Sequence, residues 1–201
     1  MGDHGTKEDF FSCFVDDVYG LTKLAPQPRT ILDIGANVGF FSLAARGIFP
    51  EAQIHAYEPN PRVLDALHAN SLAGGFQFYP EAVGAAAGWV SMIDQSDSNQ
   101  AQTSALGSAD QGGIAQVDLA TAIERLGGQV DLLKMDCEGA EWDIFKAVDA
   151  WHGVRELRME YHLTNGRTVA DVRHALNALS FDITRQIDQQ GFGLVWATHT
   201  R

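Results

Sequence analysis

Thr30-Ile31-Leu32-Asp33-Ile34-Gly35-Ala36-Asn37-Val38-Gly39-Phe40-Phe41-Ser42-Leu43-Ala44 is the stretch that decides the fold. It begins as a short apolar run, as a strand buried on both faces requires. It ends as a helix whose Phe41, Leu43 and Ala44 can pack back on that strand. A glycine turn joins the two. Gly35 and Gly39 permit positive φ and a close approach of backbone to a ligand, and the N–H groups opening the helix favour something small and polar. The first candidate ligand is a dinucleotide, but its G-x-G-x-x-G fingerprint needs glycine where this chain has Asn37 and Phe40.

Downstream, Gln53-Ile54-His55-Ala56-Tyr57-Glu58 reads as a second strand ending on an acid. Glu58 follows the glycine turn at roughly the offset, about 20 residues, at which nucleotide-binding βαβ units place a carboxylate for ribose hydroxyls. Residues 62–72 read as a helix closed by Gly74-Gly75, and a third strand runs through 76–83. Residues 88–93 suggest one strand of a hairpin. The polar stretch 94–113 that follows cannot bury enough apolar surface to fold alone and reads as a mobile loop facing the acceptor.

Val130-Asp131-Leu132-Leu133-Lys134-Met135-Asp136-Cys137-Glu138-Gly139-Ala140-Glu141 is a buried strand that carries Asp136 and Glu138 to the carboxyl edge of the sheet. Ligands of open α/β sheets bind at that edge. A helix over 140–151 and a strand over 154–159 follow, and the strand delivers Glu160 and His162 to the same edge. After a helix opened by Thr168, residues 181–187 and 192–198 form a hairpin around Gln189-Gln190-Gly191. Upstream, residues 9–24 place Phe10, Phe14, Val18 and Leu21 at helical spacing, and Pro26 and Pro28 form a hinge. That helix is expected to cover one end of the sheet, the alternative being a lid over the ligand.

The variant Asp33-Ile34-Gly35-Ala36-Asn37-Val38-Gly39 resembles motif I of the class I S-adenosylmethionine-dependent methyltransferases, in the form found in the FkbM family. Glu58-Pro59-Asn60-Pro61 resembles that family's second motif, and Lys134-Met135-Asp136-Cys137-Glu138-Gly139-Ala140-Glu141 its signature Lys-x-Asp-x-Glu-Gly-Ala-Glu. The resemblance covers about residues 30–198. It implies a doubly wound, mostly parallel seven-stranded sheet with a C-terminal antiparallel hairpin, and O-methylation of a small hydroxyl acceptor such as a sugar or secondary metabolite. Residues 1–28 are then an N-terminal helix and hinge, and 29–201 the methyltransferase domain. By that reading Asp33, Gly35, Ala36, Asn37, Gly39, Phe40, Glu58, Pro59, Asn60 and Asp136 hold the cofactor, with Glu81, Ala82 and Val83 at its adenine. No Asn-Pro-Pro-Tyr follows the fourth core strand, which argues against amide and exocyclic-amine acceptors.

His162 is the expected general base, since imidazole accepts a proton near neutral pH, with Glu160 orienting it and Glu138 as the alternative carboxylate. Asp136, Glu138, Glu141, Glu160 and His162 also have the composition of an oxygen-rich Mg²⁺ site, a reading ranked below the metal-free one because acids beside a cationic sulfonium already have a purpose. An oxidoreductase and a non-catalytic nucleotide-binding scaffold are the rival functions.

Composition sets outer bounds. Fourteen Lys+Arg against 26 Asp+Glu give a net charge of −12, which disfavours nucleic acid and anionic membrane surfaces as partners. The nearest thing to a basic patch, Arg155, Arg158, Arg167 and Arg173, reads as solvated surface. Two cysteines, no long apolar run and no basic leader suggest a cytoplasmic protein.

Overall fold

A computed structural model of the chain describes residues 4–93, 102–106 and 113–200. Seven strands form the central sheet: β1 (Thr30–Ile34), β2 (Gln53–Tyr57), β3 (Gln77–Tyr79), β8 (Val130–Met135), β9 (Val154–His162), β10 (Phe181–Asp188) and β11 (Phe192–His199). Their spatial order is β10-β11-β9-β8-β1-β2-β3, with β11 antiparallel to both of its neighbours and the core strands parallel. The chain winds outward from β1 to β3, then returns to β8 on the other side of β1. Ligands of such sheets bind where the winding reverses.

Both faces of the sheet are buried, and strand alternation divides its side chains between them. Leu32, Ile34, Leu133 and Met135 join the core beneath α4 (Leu119–Glu124) and α6 (Val169–Ala178), with Trp151, Leu176 and Phe181. Ile31, Ile54, Ala56 and Leu132 join the opposite core beneath α2 (Phe40–Ile48) and α3 (Leu64–Gly74), with Tyr19, Phe41 and Leu67. Asp33 and Lys134 lie on this second face too, paired across β1 and β8 in the parallel register.

Four elements depart from the expected boundaries. The first helix, α1, spans His4–Phe14 instead of reaching Leu24. Asp17, at φ 44°, ends the helical path, and its carboxylate accepts hydrogen bonds from the Leu21 N–H at 2.7 Å and the Thr22 hydroxyl at 2.6 Å. The third strand divides at Pro80: β3 stays in the main sheet, whereas β4 (Ala82–Gly84) enters a second, four-stranded sheet. In that sheet β5 (Gly88–Ile93) pairs with β6 (Gln102–Leu106) and β7 (Ile114–Asp118), so part of the expected acceptor-facing loop is strand. The rest of that loop, 94–101 and 107–112, lies outside the described residues.

The helix expected over 140–151 is only α5 (Glu141–Ile144), followed by a 3₁₀ turn at Val148–Gly153. The buried Trp151 indole donates to the Ile144 carbonyl at 3.2 Å, an acceptor that a continuous α-helix would give to Val148. Finally, β9 runs three residues past Met159. Beyond its last pairing with β8 it is held by β11, with Glu160 opposite Leu194 and His162 opposite Phe192. Glu160 and His162 therefore share one face and the fully buried Tyr161 takes the other. No helix among the described residues is long and apolar enough to cross a membrane.

Candidate active site

An open cleft of about 1100 Å³, mouth included, lies at the point where the winding reverses, above the carboxyl ends of β1, β2, β8 and β9. At its β2 corner Glu58 is almost fully buried. Its carboxylate accepts the Asn37 N–H at 2.8 Å on one oxygen and the Asn60 N–H at 2.8 Å on the other. Burial pushes its pKa up to about 7, against those two N–H groups, which hold it down. The N–H groups of Gly35 and Ala36 both donate to the Tyr57 carbonyl at 3.0 Å. The first three N–H groups of the glycine turn thus serve β2 and Glu58, leaving none of them to cradle a phosphate.

The glycines themselves have another reason than ligand approach. A Cβ on Gly35, at φ 75°, would lie 1.7 Å from the Asp136 carbonyl oxygen, and one on Gly39, at φ 86°, would lie 2.9 Å from Leu67. Gly35 lets the turn close onto the end of β8, and Gly39 lets α2 pack on α3.

Beneath the turn sits a buried ion cluster. The Lys134 ammonium donates to the Gly35 carbonyl at 2.6 Å and stands 3.4 Å from Asp33 and 4.0 Å from Asp136. Asp33, fully buried, also accepts the Ser42 hydroxyl at 2.7 Å. Burial opposes the charge on Lys134, but Asp33 and Asp136 outweigh it and keep the amine protonated. Tyr19 lies over the ammonium, its ring centre 5.8 Å away and its hydroxyl 3.5 Å from Asp136. Arg158, next to Lys134 in the register, donates to the Tyr19 carbonyl at 3.0 Å, and Trp196 donates to that of Val18 at 3.0 Å. A row of side chains across the sheet therefore pins the segment after α1 over the cleft.

On the β9 side His162 is enclosed by carboxylates. Its Nδ1 is 3.3 Å from the fully buried Glu141, and its Nε2 is 3.3 Å from Glu138 and 3.7 Å from Glu160. Burial alone would disfavour the imidazolium, yet Glu141, Glu138 and Asp136 together raise its pKa to about 9. Burial also raises Glu138 to about 7, opposed by His162, and raises Glu160 further with the help of Asp136. Those carboxylates favour the imidazolium, and a protonated ring lacks the free lone pair that a general base needs. Potential ligand atoms of Asp136, Glu160 and His162 lie within 4.8 Å of one another, the composition of a cation site. In this geometry the His162 ring itself stands between the carboxylates.

The sequence profile of the "Methyltransferase FkbM domain" family matches residues 33–191. The chain belongs to that family. Among curated proteins, "Methyltransferase sdnD" of Sordaria araneosa is 29% identical, the match covering 86% of this chain and 80% of that protein. "Methyltransferase 1" of Beauveria bassiana is 25% identical over 69% of this chain and 66% of its own. Among solved structures, the precorrin-6y C5,15-methyltransferase of Geobacter metallireducens shares the fold with TM-score 0.57 at 14% identity, covering 92% of this chain and 88% of that one. These matches establish a class I methyltransferase fold.

Within this methyltransferase, Gly35, Ala36, Asn37 and Phe40 line the cleft from the turn, Glu58 and Pro59 from β2, and Asp136, Glu138 and Glu160 from the β8 and β9 ends. Ala82 and Val83 line it as well, and so does Glu81, although the Glu81 carboxylate is engaged by Arg125 at 2.5 Å. Four expected residues stand behind the wall. Asp33 lies under the turn, Gly39 is packed on Leu67, Asn60 braces Glu58, and His162 stands behind Glu138 and Glu160.

The structure adds Lys134, Tyr19 and, from α1, Asp9 and Cys13. Asp9 accepts the Asn37 side-chain N–H at 2.8 Å, so α1 covers the cleft rather than one end of the sheet. Of these only Lys134 belongs to a motif singled out in the sequence, the signature Lys-x-Asp-x-Glu-Gly-Ala-Glu.

Proposed function

We propose that the protein is an S-adenosylmethionine-dependent O-methyltransferase acting on a hydroxyl of a small molecule. The observation that carries this reading is the charge of the cleft. Asp9, Glu58, Asp136, Glu138 and Glu160 face it, and Lys134 is the sole cation among the described residues that line it. Such a wall suits a sulfonium with its ammonium group, whose positive charges would favour the ionised form of carboxyls that burial raises, and it disfavours a diphosphate. The occupied turn N–H groups weigh against a dinucleotide in the same direction. Glu58 is placed to take ribose hydroxyls on the lone pairs its two N–H partners leave open.

The cofactor would supply an electrophilic methyl group. Glu58 and the turn would hold its nucleoside end, with Asp136 and Tyr19 at its amino-acid end. Positioning of the two reactants supplies most of the acceleration in such a displacement. That methyl group would go to the acceptor oxygen, and a carboxylate of the chain would take the hydroxyl proton. Glu138 fits that role, because it faces the cleft with a pKa near neutrality and is anchored by His162. The net charge of −12 and the acidic cleft favour a neutral or cationic small acceptor over RNA.

Calorimetric titration with S-adenosylmethionine and with NAD tests the cofactor. Binding of the first and not the second is expected, and the reverse would return the oxidoreductase. Incubation with labelled cofactor and a panel of polyhydroxylated acceptors should then give a product whose mass spectrum places the methyl on oxygen, whereas methyl on nitrogen or carbon refutes O-transfer. A metal-assisted variant rests on the grouping of Asp136, Glu160 and His162. Turnover unchanged by a chelator removes it.

A further inference from the structure

The Asp33–Lys134 pair is a cross-strand ion pair on the two central strands, fully buried on the Asp33 side and 4% exposed on the other. Its burial makes it costly unless both charges are kept, since removing one partner leaves the other unpaired. Nothing in the core requires it: the same face of the same strands carries Ile31 and Leu132. What distinguishes the pair is its place. The ammonium reaches up to the Gly35 carbonyl and stands 4.0 Å from Asp136, whose carboxylate faces the cleft.

Building on the cofactor reading above, we propose that Lys134 is a positioning residue that sets the charge of the cleft floor. Asp33 masks it, and the balance of Asp33, Lys134 and Asp136 fixes how strongly the site prefers a sulfonium over a neutral thioether. Methyl transfer turns the first into the second, so this preference decides how readily the spent cofactor leaves. Of the two carboxylates beside Lys134, Asp33 is buried and Asp136 is the one that faces the cleft. Tyr19 lies over the ammonium and against Asp136, and burial of Asp33 and Lys134 limits screening of their charges.

The test is the ratio of affinities for S-adenosylmethionine and S-adenosylhomocysteine, measured by calorimetry on the full chain. Asp33→Asn keeps the shape and unmasks Lys134, so the ratio should fall about tenfold, as for charges roughly 12 Å apart at an effective dielectric constant of about 20. Asp136→Asn removes the opposing charge and should lower it similarly. The double variant Asp33→Asn with Lys134→Met restores the wild-type charge balance of the three groups, and its ratio should return to within about threefold of wild type. A purely structural pair would change thermal stability in these variants and leave the ratio alone. The proposal is overturned if both single variants keep the ratio within about twofold of wild type, or if the double variant fails to recover. Should Asp33→Asn not fold, the part-exposed Asp136 and the double variant still decide it. A wild-type protein that binds neither ligand would refute the cofactor reading instead, a distinct outcome.

Discussion

The two sides of the cleft solve the problem of a buried carboxylate in opposite ways. At the β2 corner Glu58 is held by backbone, through the N–H groups of Asn37 and Asn60 at 2.8 Å each. At the end of β9, Glu138 and Glu160 are held by another side chain, His162, at 3.3 and 3.7 Å, and share it with Glu141. Backbone N–H groups cannot titrate and move only with the fold, so the first arrangement is rigid and suited to binding. The second is a set of interacting titratable groups whose protons can be redistributed, which suits acid–base chemistry.

The largest expected effect tests the chemical side. Glu138→Gln keeps a partner for His162 but removes the proton acceptor, and should lower kcat by about 10²–10⁴-fold with cofactor affinity near wild type. Glu160→Gln should cost less, since Glu160 is the more distant partner of His162. If Glu138→Gln turns over normally while His162→Asn is inactive, the imidazole is the base after all and the contrast between the two sides is drawn in the wrong place.

Next in size is the binding side. Glu58→Ala removes a carboxylate that joins the glycine turn to the segment after β2, and should weaken cofactor binding by about 1–3 kcal/mol, the scale of a lost charged hydrogen bond. Turnover at saturating cofactor should change much less. A Glu58→Ala protein with unchanged affinity in calorimetry would place the ribose elsewhere.

How much of each side could be read in advance follows from the same contrast. The β2 corner is local: an apolar run, a glycine turn and an acid at the end of the next strand are all written in consecutive residues, and Glu58 was legible with them. The β9 side depends on partners distant in sequence. The strand gains Glu160, Tyr161 and His162 only because β11 pairs with it beyond the end of β8. His162 was recognisable as a candidate, but its charge state was not, because Glu141 reaches it from α5 and Glu138 from a turn at φ 54°. Lys134 illustrates the limit most sharply. Its position inside an apolar strand was visible, yet its meaning needed the register that sets it beside Asp33. The helix α1 was misplaced for a similar reason, since Asp17 turns the chain through hydrogen bonds that helical spacing of Phe10, Phe14 and Val18 does not encode.

The smallest effect, and the one that separates the two sides without mutation, is the pH dependence of stability in the ligand-free protein. Asp9 is raised to about 6 and Glu58 to about 7, mainly by burial, while His162 is raised to about 9 by its carboxylates against the effect of burial. In each case the folded state binds its proton more tightly than the unfolded chain, whose values are 3.8, 4.5 and 6.5. Each contribution is therefore fully present below the unfolded value and is lost as pH rises through the folded one. Melting temperature should fall as pH rises from about 5 to about 9, in two stages: a lower one owed to Asp9, Glu58 and Glu138, and an upper one in which Glu160 and His162 give up their protons. Glu58→Gln should shrink the lower stage and leave the upper one, whereas His162→Asn should shrink the upper stage and shift the lower one through Glu138. A melting temperature that rises over this interval, or a lower stage untouched by Glu58→Gln, would show that backbone N–H groups hold Glu58 ionised despite its burial. The β2 corner would then be still more rigidly charged than the contrast requires.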